Sequence, residues 1–488
     1  MALRNGPLLS KMKEPLFLEP LFPDRSSGEN LAVQLARRLR DAIERRELAP
    51  GMRLLGTRQL ASRLGLGRNT VALAFEELTA QGYLEARAGA GTFVASIGLK
   101  QRARRSRQTW PQPARARRAA SLRSYFGVAR GSGPLRPGVP DLAGFPHATW
   151  MRCAREALGI LRQEVDYGAS AGLRILQEAI AMHVRQFRGV TTQPEHVIVL
   201  EGAQAAMHLA AFVLAEPGDR IAVEDPCYAL ARAAFEAYGL RVAAVRVDAR
   251  GMDVERLPHD AKLAFVTPTH QFPLGGLLPV ARRNALLAWA KRWNAYILED
   301  DYDSEFTSKT RPLPALQSLD RDERVLYIGS FSKTLAPAVR LGYLIVPPHL
   351  AGAFRVARAS TSLGVSPQLQ STAAFFITHG HFARHIRRMN VLYERRRAIL
   401  TGTLRARLHR AFCIGPTSTG LHVAVTGARG FADTRLTSAS DPERYVALSE
   451  LCIERRDCSG ILLGFANGDD SAIERAAIRV AGLLNSRV

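Results

Sequence analysis

Apolar residues recur every four positions near the start of the chain. Leu31, Leu35, Leu39 and Ile43 form the buried stripe of an amphipathic helix. Pro50-Gly51 breaks that pattern. A second helix is expected through Leu64, capped by Thr57, with Gly65 making the turn after it. A third runs from about Arg68 to Gln81, with Val71, Phe75 and Leu78 inward, and Gly82 ends it. The period then becomes alternating in YLEARAGAGTFVA, which predicts two short strands around Gly89-Ala90-Gly91. Three helices and a glycine-tipped hairpin make a winged helix-turn-helix over residues 29–96.

Residues 97–130 lose this patterning. Between positions 100 and 123 there are nine Lys or Arg and no Asp or Glu, with Pro111 and Pro113 interposed. Such a composition buries no core, which predicts a basic flexible linker, either a plain tether or a tether that also grips phosphates. From about residue 131 to 488, strand-like runs alternate with helical stretches: HVIVL, RIAVE, LAFVT, YILED and VLYIG. That alternation predicts βαβ units and a mostly parallel α/β sheet, with a smaller α+β subdomain in the last ninety or so residues.

Composition sharpens the picture. A chain of 488 residues is long enough for two or three domains. The formal net charge of +23 points to a polyanionic partner, nucleic acid before a membrane surface. No stretch approaches the roughly 18 apolar residues of a spanning helix. The first residues lack the pattern of a secretory signal. The five cysteines contain no CxxC pair, which argues against a zinc site or disulfide framework and for the reducing cytoplasm.

Five motifs carry candidate chemistry. In SFSKTLAPAVRLGY, Lys333 follows a strand between hydroxyls, and an amine of lowered pKa there forms an imine with an aldehyde cofactor. Ser330 and Arg340 suit that cofactor's phosphate. In EDDYDSEF, Asp300 stands at a strand's C-terminal end, where a carboxylate meets a pyridine nitrogen, and Tyr302 is a donor for a phenolic oxygen. In LEGAQAAMHLA, Gly202, Ala203 and Gln204 open a helix whose backbone N–H groups suit phosphate. Tyr228 of EDPCYALAR suits stacking on the ring. His270 and Gln271 of TPTHQFPLGG follow strand LAFVT. Singly, these also fit a surface lysine, an acidic helix cap or a core tyrosine.

Together, in this order and spacing, and with DYGASAG and GHFARHIRRMNVLYERRR, the motifs resemble the fold-type I pyridoxal-phosphate aminotransferases. The resemblance implies pyridoxal 5′-phosphate as cofactor and Lys333 as the catalytic, imine-forming lysine. It puts Asp300 on the pyridine nitrogen, Tyr302 on the phenolic oxygen, and Ser330 and Arg340 on the phosphate. Tyr167 resembles the tyrosine that reaches the neighbouring subunit's phosphate, which implies a homodimer. The N-terminal stretch LAPGMRLLGTRQLASRLGLGRNTVALAFEELTAQGYLEARAGAGTFV resembles the GntR-type winged helix. That likeness implies DNA contacts by Arg58 and Arg68, with Asn69 and Thr70 as further groove candidates and Arg87, Gly89 and Gly91 in the wing.

The whole arrangement resembles the MocR/GabR-type transcription regulators. It implies a regulator that binds a double-stranded DNA operator and senses an amino compound, or the cofactor itself, through Lys333. The alternative is a working aminotransferase with a DNA-binding appendage. Four departures bear on this choice. Gly56 replaces a proline, Gly67 a capping hydroxyl residue, Leu274 a threonine and Cys227 a glycine. More tellingly, ILLGFA has Leu462 and Leu463 where aminotransferases carry a carboxylate-binding arginine, and Arg232 is the one substitute suggested by position.

Overall fold

The structure is a computed structural model that describes residues 21–96, 113–122, 133–161, 171–307, 313–428, 430–436 and 445–487. The chain divides into two compact units, Met1–Pro111 and Gln112–Val488.

The first unit contains helices α1 (Leu31–Glu44), α2 (Thr57–Leu64) and α3 (Arg68–Ala80), then strands β1 (Leu84–Arg87) and β2 (Gly91–Val94). Asn30 caps α1 by accepting from the Ala32 N–H at 2.9 Å. The expected stripe is buried: Leu35, Leu39 and Ile43 pack with Leu60, Leu64, Val71, Phe75 and Leu78. The hairpin pairs Leu84 with Val94 and Arg87 with Gly91. One local expectation fails. Gly56, not Thr57, is the N-cap of α2, and Thr57 is already its first helical residue, so neither α2 nor α3 has a side-chain cap. The left-handed Gly65 does end α2, as its lack of a Cβ permits.

Most of the basic stretch 97–130 lies outside the described residues. Within it, however, Ala114–Ser121 form helix α4 rather than an extended tether. Pro113 precedes it, and alanine and arginine are both strong helix formers. Leu122 is buried, and the Arg118 guanidinium lies over Gly239, so this segment packs as part of the second unit.

That unit is built on an eight-stranded sheet of order β3-β10-β9-β8-β7-β4-β5-β6. The strands are β3 (Val197–Leu200), β4 (Arg220–Asp225), β5 (Arg241–Asp248), β6 (Gly251–Met252), β7 (Ala261–Val266), β8 (Tyr296–Asp300), β9 (Val325–Ser330) and β10 (Gly342–Ile345). Strands β5, β4, β7, β8 and β9 run parallel, while β10 is antiparallel to both β9 and β3. Interleaved are helices α5 (His147–Leu161), α6 (Arg174–Arg188), α7 (Ala203–Leu214), α8 (Ala229–Ala237) and α9 (Val280–Arg292). Helices α10 (Ala351–Thr361), α11 (Pro367–Thr378) and α12 (His381–Arg407) lead to the C-terminal subdomain. There an antiparallel sheet of β11 (Cys413–Ile414), β12 (His422–Thr426), β13 (Val446–Ala447) and β14 (Gly460–Gly464) is followed by α13 (Asp470–Asn485).

All five predicted strand runs are strands. The central ones are buried on both faces, as a helix-covered parallel sheet requires. Across β9, β10 and β3, Ser330 lies opposite Gly342 and Gly342 opposite Leu200. That register sets the end of β9, just before Lys333, level with the Gly202 turn, with β10 between them.

Candidate cofactor pocket and DNA-reading face

Strands β8 and β9 end side by side, at Asp300 and Ser330, and ligand crevices of open α/β sheets form at such carboxyl ends. A cavity of about 230 Å³ lies there. It brings together Lys333, Asp300, Tyr302, Ser330, Arg340, Tyr228 and the Gly202-Ala203-Gln204 turn. The lining also includes residues that sequence reasoning did not single out: Gly138, Thr267, Phe272, Asp303, Ser332 and His422.

The acidic motif divides its labour. Glu299 accepts from the backbone N–H groups of Leu316 and Gln317. Asp301 takes bonds from Arg188 and Tyr327, each at 2.6 Å. Asp303 meets the His270 ring and the Leu421 N–H, all at 3.1 Å. Asp300 is the exception, because its buried Oδ1 has no partner among the described residues. Burial pushes its carboxyl up to about 8, reinforced by Asp301, with Lys333 pulling the other way. A buried acceptor without a donor is costly. The N–H of a protonated pyridine would satisfy it.

Burial also lowers the Lys333 ammonium, against the opposing pull of Asp303 and Asp300. The amine donates to the Gly138 carbonyl at 2.6 Å. A lysine so placed exposes the neutral, nucleophilic amine more readily than a solvated one. Tyr228 is pushed up to about 12 by burial and stays a neutral wall, edge-on to Phe272.

At the other end of the cavity, α7 begins at Gly202, whose φ of +114° only glycine adopts easily. A Cβ there would meet nothing within 4 Å, so the turn faces open space. The first N–H groups of α7, Ser330, Ser332 and Arg340 together form a site for a dianion. Arg340 holds a left-handed backbone (φ +50°), unusual for a non-glycine residue and typical of functional sites. The residues present therefore fit pyridoxal phosphate at three points: aldehyde, ring nitrogen and phosphate. One packing detail tests the third. A Cβ at Gly342 would lie 2.7 Å from the Cα of Gly202 and 2.9 Å from the Gly329 carbonyl. Gly342→Ala is expected to push the turn away and weaken cofactor binding by about 1–3 kcal/mol, the usual cost of overpacking. Equilibrium dialysis measures it, and unchanged affinity would dissociate the Gly202 turn from the phosphate.

Two of the expected cofactor residues lie away from the cavity wall. His270 and Gln271 do not line the cavity. His270 sits behind Tyr302, whose O–H donates to the His270 carbonyl at 3.0 Å and lies 3.0 Å from its Nδ1. Gln271 pins its own loop by donating to Glu224 and the Pro226 and Phe272 carbonyls. Tyr302 does line the cavity, but its proton is already engaged. Arg232 lines no part of it and pairs with Glu236 at 2.7 Å. Tyr167 lies outside the described residues.

In the first unit, Arg58 is exposed in the first turn of α2, and Arg68 and Asn69 open α3 with Thr70 half-buried behind them. Leu73, four residues after Asn69 and so on the same face, is 56% exposed and was not anticipated. Arg87 lies over the Phe93 ring at 4.5 Å and pairs with Glu85 at 3.3 Å, beside the left-handed Gly89. This is an exposed, cationic helix start followed by a wing that carries Arg87.

Comparison with known proteins agrees with both halves. Residues 31–94 match the family of bacterial regulatory proteins, gntR family, and residues 139–443 match aminotransferase class I and II. The probable rhizopine catabolism regulatory protein MocR of Rhizobium meliloti is 34% identical over 463 residues, 92% of each chain. The HTH-type transcriptional regulator TauR of Rhodobacter capsulatus is 37% identical over 79% of this chain and 81% of its own. The pyridoxine biosynthesis transcriptional regulator PdxR of Corynebacterium glutamicum is 32% identical over 94% and 96%. Among solved structures, a multiple substrate aminotransferase from Thermococcus profundus superposes with a TM-score of 0.67 at 26% identity, covering 78% of this chain and 97% of that one. An archaeal alanine:glyoxylate aminotransferase gives 0.69 at 22%, covering 78% and 96%, a likeness of fold. With a GntR head and an aminotransferase class I/II body in one chain, this protein belongs to the MocR-type transcription regulators of the GntR family.

Proposed function

We propose that this regulator binds pyridoxal 5′-phosphate at Lys333 and uses it to sense an amino compound or the cofactor itself, changing its hold on a DNA operator. The observation that carries the reading is the unpartnered, buried Asp300 carboxyl in the same cavity as the Lys333 amine. When bound, the cofactor supplies an aldehyde and an electron-withdrawing ring. The chain's own residues do the rest. Lys333 presents a neutral amine, and Asp300 receives the ring N–H. Ser330, Arg340 and the start of α7 hold the phosphate. Tyr228 and Phe272 shield the ring from water.

The regulator reading is favoured over a working transaminase by Leu462, a leucine where aminotransferases keep their carboxylate arginine. The relative named for pyridoxine biosynthesis supports keeping the cofactor itself among candidate signals. A homodimer in the cytoplasm completes the proposal. No helix among the described residues is long and apolar enough to cross a membrane.

The effector acts only through different affinities for two arrangements of the protein. Arg58→Ala and Arg68→Ala are each expected to weaken operator binding by about 1–3 kcal/mol in gel-shift titrations while the visible band of the bound cofactor persists. Unchanged affinity in both variants would remove these residues from the reading head. Incubation with amino acids and 2-oxoglutarate is expected to yield keto acid more slowly than about 1 s⁻¹, the low end of ordinary enzymes.

A further inference from the structure

Past Lys333 the cavity opens into a second recess of about 230 Å³, which shares Gly138, Tyr228, Phe272 and Lys333 with the first. Its far wall is hydrocarbon: Leu230, Val446, Leu451 and Leu462. No acidic side chain lines it. Besides Lys333 it has a single charged residue, Arg136, which is solvent-exposed and has no carboxylate within ion-pairing distance among the described residues.

The backbone explains this placement. The N–H of Gly464 donates to the Leu135 carbonyl at 2.8 Å, laying the 135–138 segment against the end of β14. A Cβ at Gly464 would lie 2.2 Å from the Arg136 carbonyl oxygen, so only glycine admits this approach. Strand β14 thus contributes a leucine to the recess, at position 462, and the segment beside it contributes the cation. Two residues further along, the Gly138 carbonyl accepts from the Lys333 amine. One short segment therefore brings a cation close enough to act on Lys333 and also accepts from its amine.

We propose that this recess is the effector site and that Arg136 replaces the arginine missing from β14. The effector is then an amino acid with a hydrocarbon side chain. Its amino group lies at Lys333, its carboxylate on Arg136, and its side chain against Leu451 and Leu462. A dicarboxylic amino acid is disfavoured because its second charge would enter an apolar wall with no cation to meet it. A simple amine is disfavoured because it leaves the guanidinium unused. The inference rests on the cofactor reading above.

The test is calorimetric titration of the cofactor-loaded protein with L-leucine, with 3-methylbutylamine (the same skeleton without the carboxylate) and with L-aspartate. Leucine is expected to bind about two- to fivefold tighter than either, the worth of an ion pair to a solvent-exposed arginine. Arg136→Gln should lower leucine to the affinity of the amine and leave the amine unchanged, and Arg136→Lys should restore part of the difference. Leu462→Arg should move the preference towards aspartate. Equal binding of leucine and the amine, equal losses for both in Arg136→Gln, or no heat from any of the three would overturn the assignment. The visible band of the same samples separates the two readings. Its absence refutes cofactor binding and the effector site with it. Its presence without a leucine preference refutes the effector site alone.

Discussion

Lys333→Ala is expected to abolish the visible absorption of the cofactor-loaded protein and, with it, the response of operator binding to the effector. Lys333 is the one amine in the cavity, and burial tunes it towards its neutral form. No other lysine lies among the residues that line the cavity, so none can substitute. The phosphate cradle is untouched by this change, because Ser330, Arg340 and the Gly202 turn stand on other parts of the wall. The variant should therefore still retain cofactor, weakly and reversibly, when that is measured by dialysis. Its head folds around a core of its own, so DNA binding without effector should persist. Spectra and gel shifts on one preparation check this. A visible band that survives in Lys333→Ala would displace the lysine from its role.

Asp300→Asn should show a second large effect, of opposite sign in the cofactor-free and cofactor-loaded protein. Burial pushes the Asp300 carboxyl up to about 8 from an ordinary 3.8. A carboxyl that holds its proton more tightly when folded stabilises the fold fully below the unfolded pKa. It loses that contribution progressively as pH rises through the folded value. Asparagine does not titrate. The cofactor-free variant should therefore match the parent near pH 4, gain on it in melting temperature as pH rises towards 8, and hold a constant advantage above that. With cofactor present the order should reverse, because asparagine cannot offer the ring N–H a charged acceptor. That loss is about 1.5–3 kcal/mol, or roughly 10–100-fold in affinity. Differential scanning fluorimetry across pH, with and without cofactor, reads both. A difference that stays flat with pH, together with unchanged cofactor affinity, would show that Asp300 meets neither expectation. Glu224 is likewise buried and pushed up to about 7, so the parent's own pH profile contains more than one such group.

The site was only partly legible, and the residues show why. Lys333, Asp300, Ser330, Arg340 and Gly202 all stand within a few residues of a strand end, so a local pattern announces them. His270 follows the end of β7 just as plausibly, yet it lies a layer behind, with its ring between Asp303 and Tyr302. No local pattern distinguishes a residue at a strand end that faces the crevice from one that the next turn carries beneath it. His422 lines the cavity from a different subdomain, buried and held down to about 3 chiefly by that burial, and its strand bears no motif at all. Leu73 was passed over because an apolar residue in a helix is ordinarily assigned to the core.

The sequence by itself determined the helices and strands of the DNA-binding head and the parallel core strands, and it singled out Lys333 as a candidate. Each of these is encoded by periodicity or spacing over a few tens of residues, where hydrophobic burial and backbone preference act locally. Tertiary structure alone decided that β10 runs antiparallel inside the sheet and that a basic stretch winds into a packed helix. It also decided that Arg136 shares a recess with Leu462 and Lys333. These depend on which distant backbones pair and which side chains they bring to one wall. Strand register and the missing Cβ of Gly464 settle that, and neither leaves a trace in the local pattern.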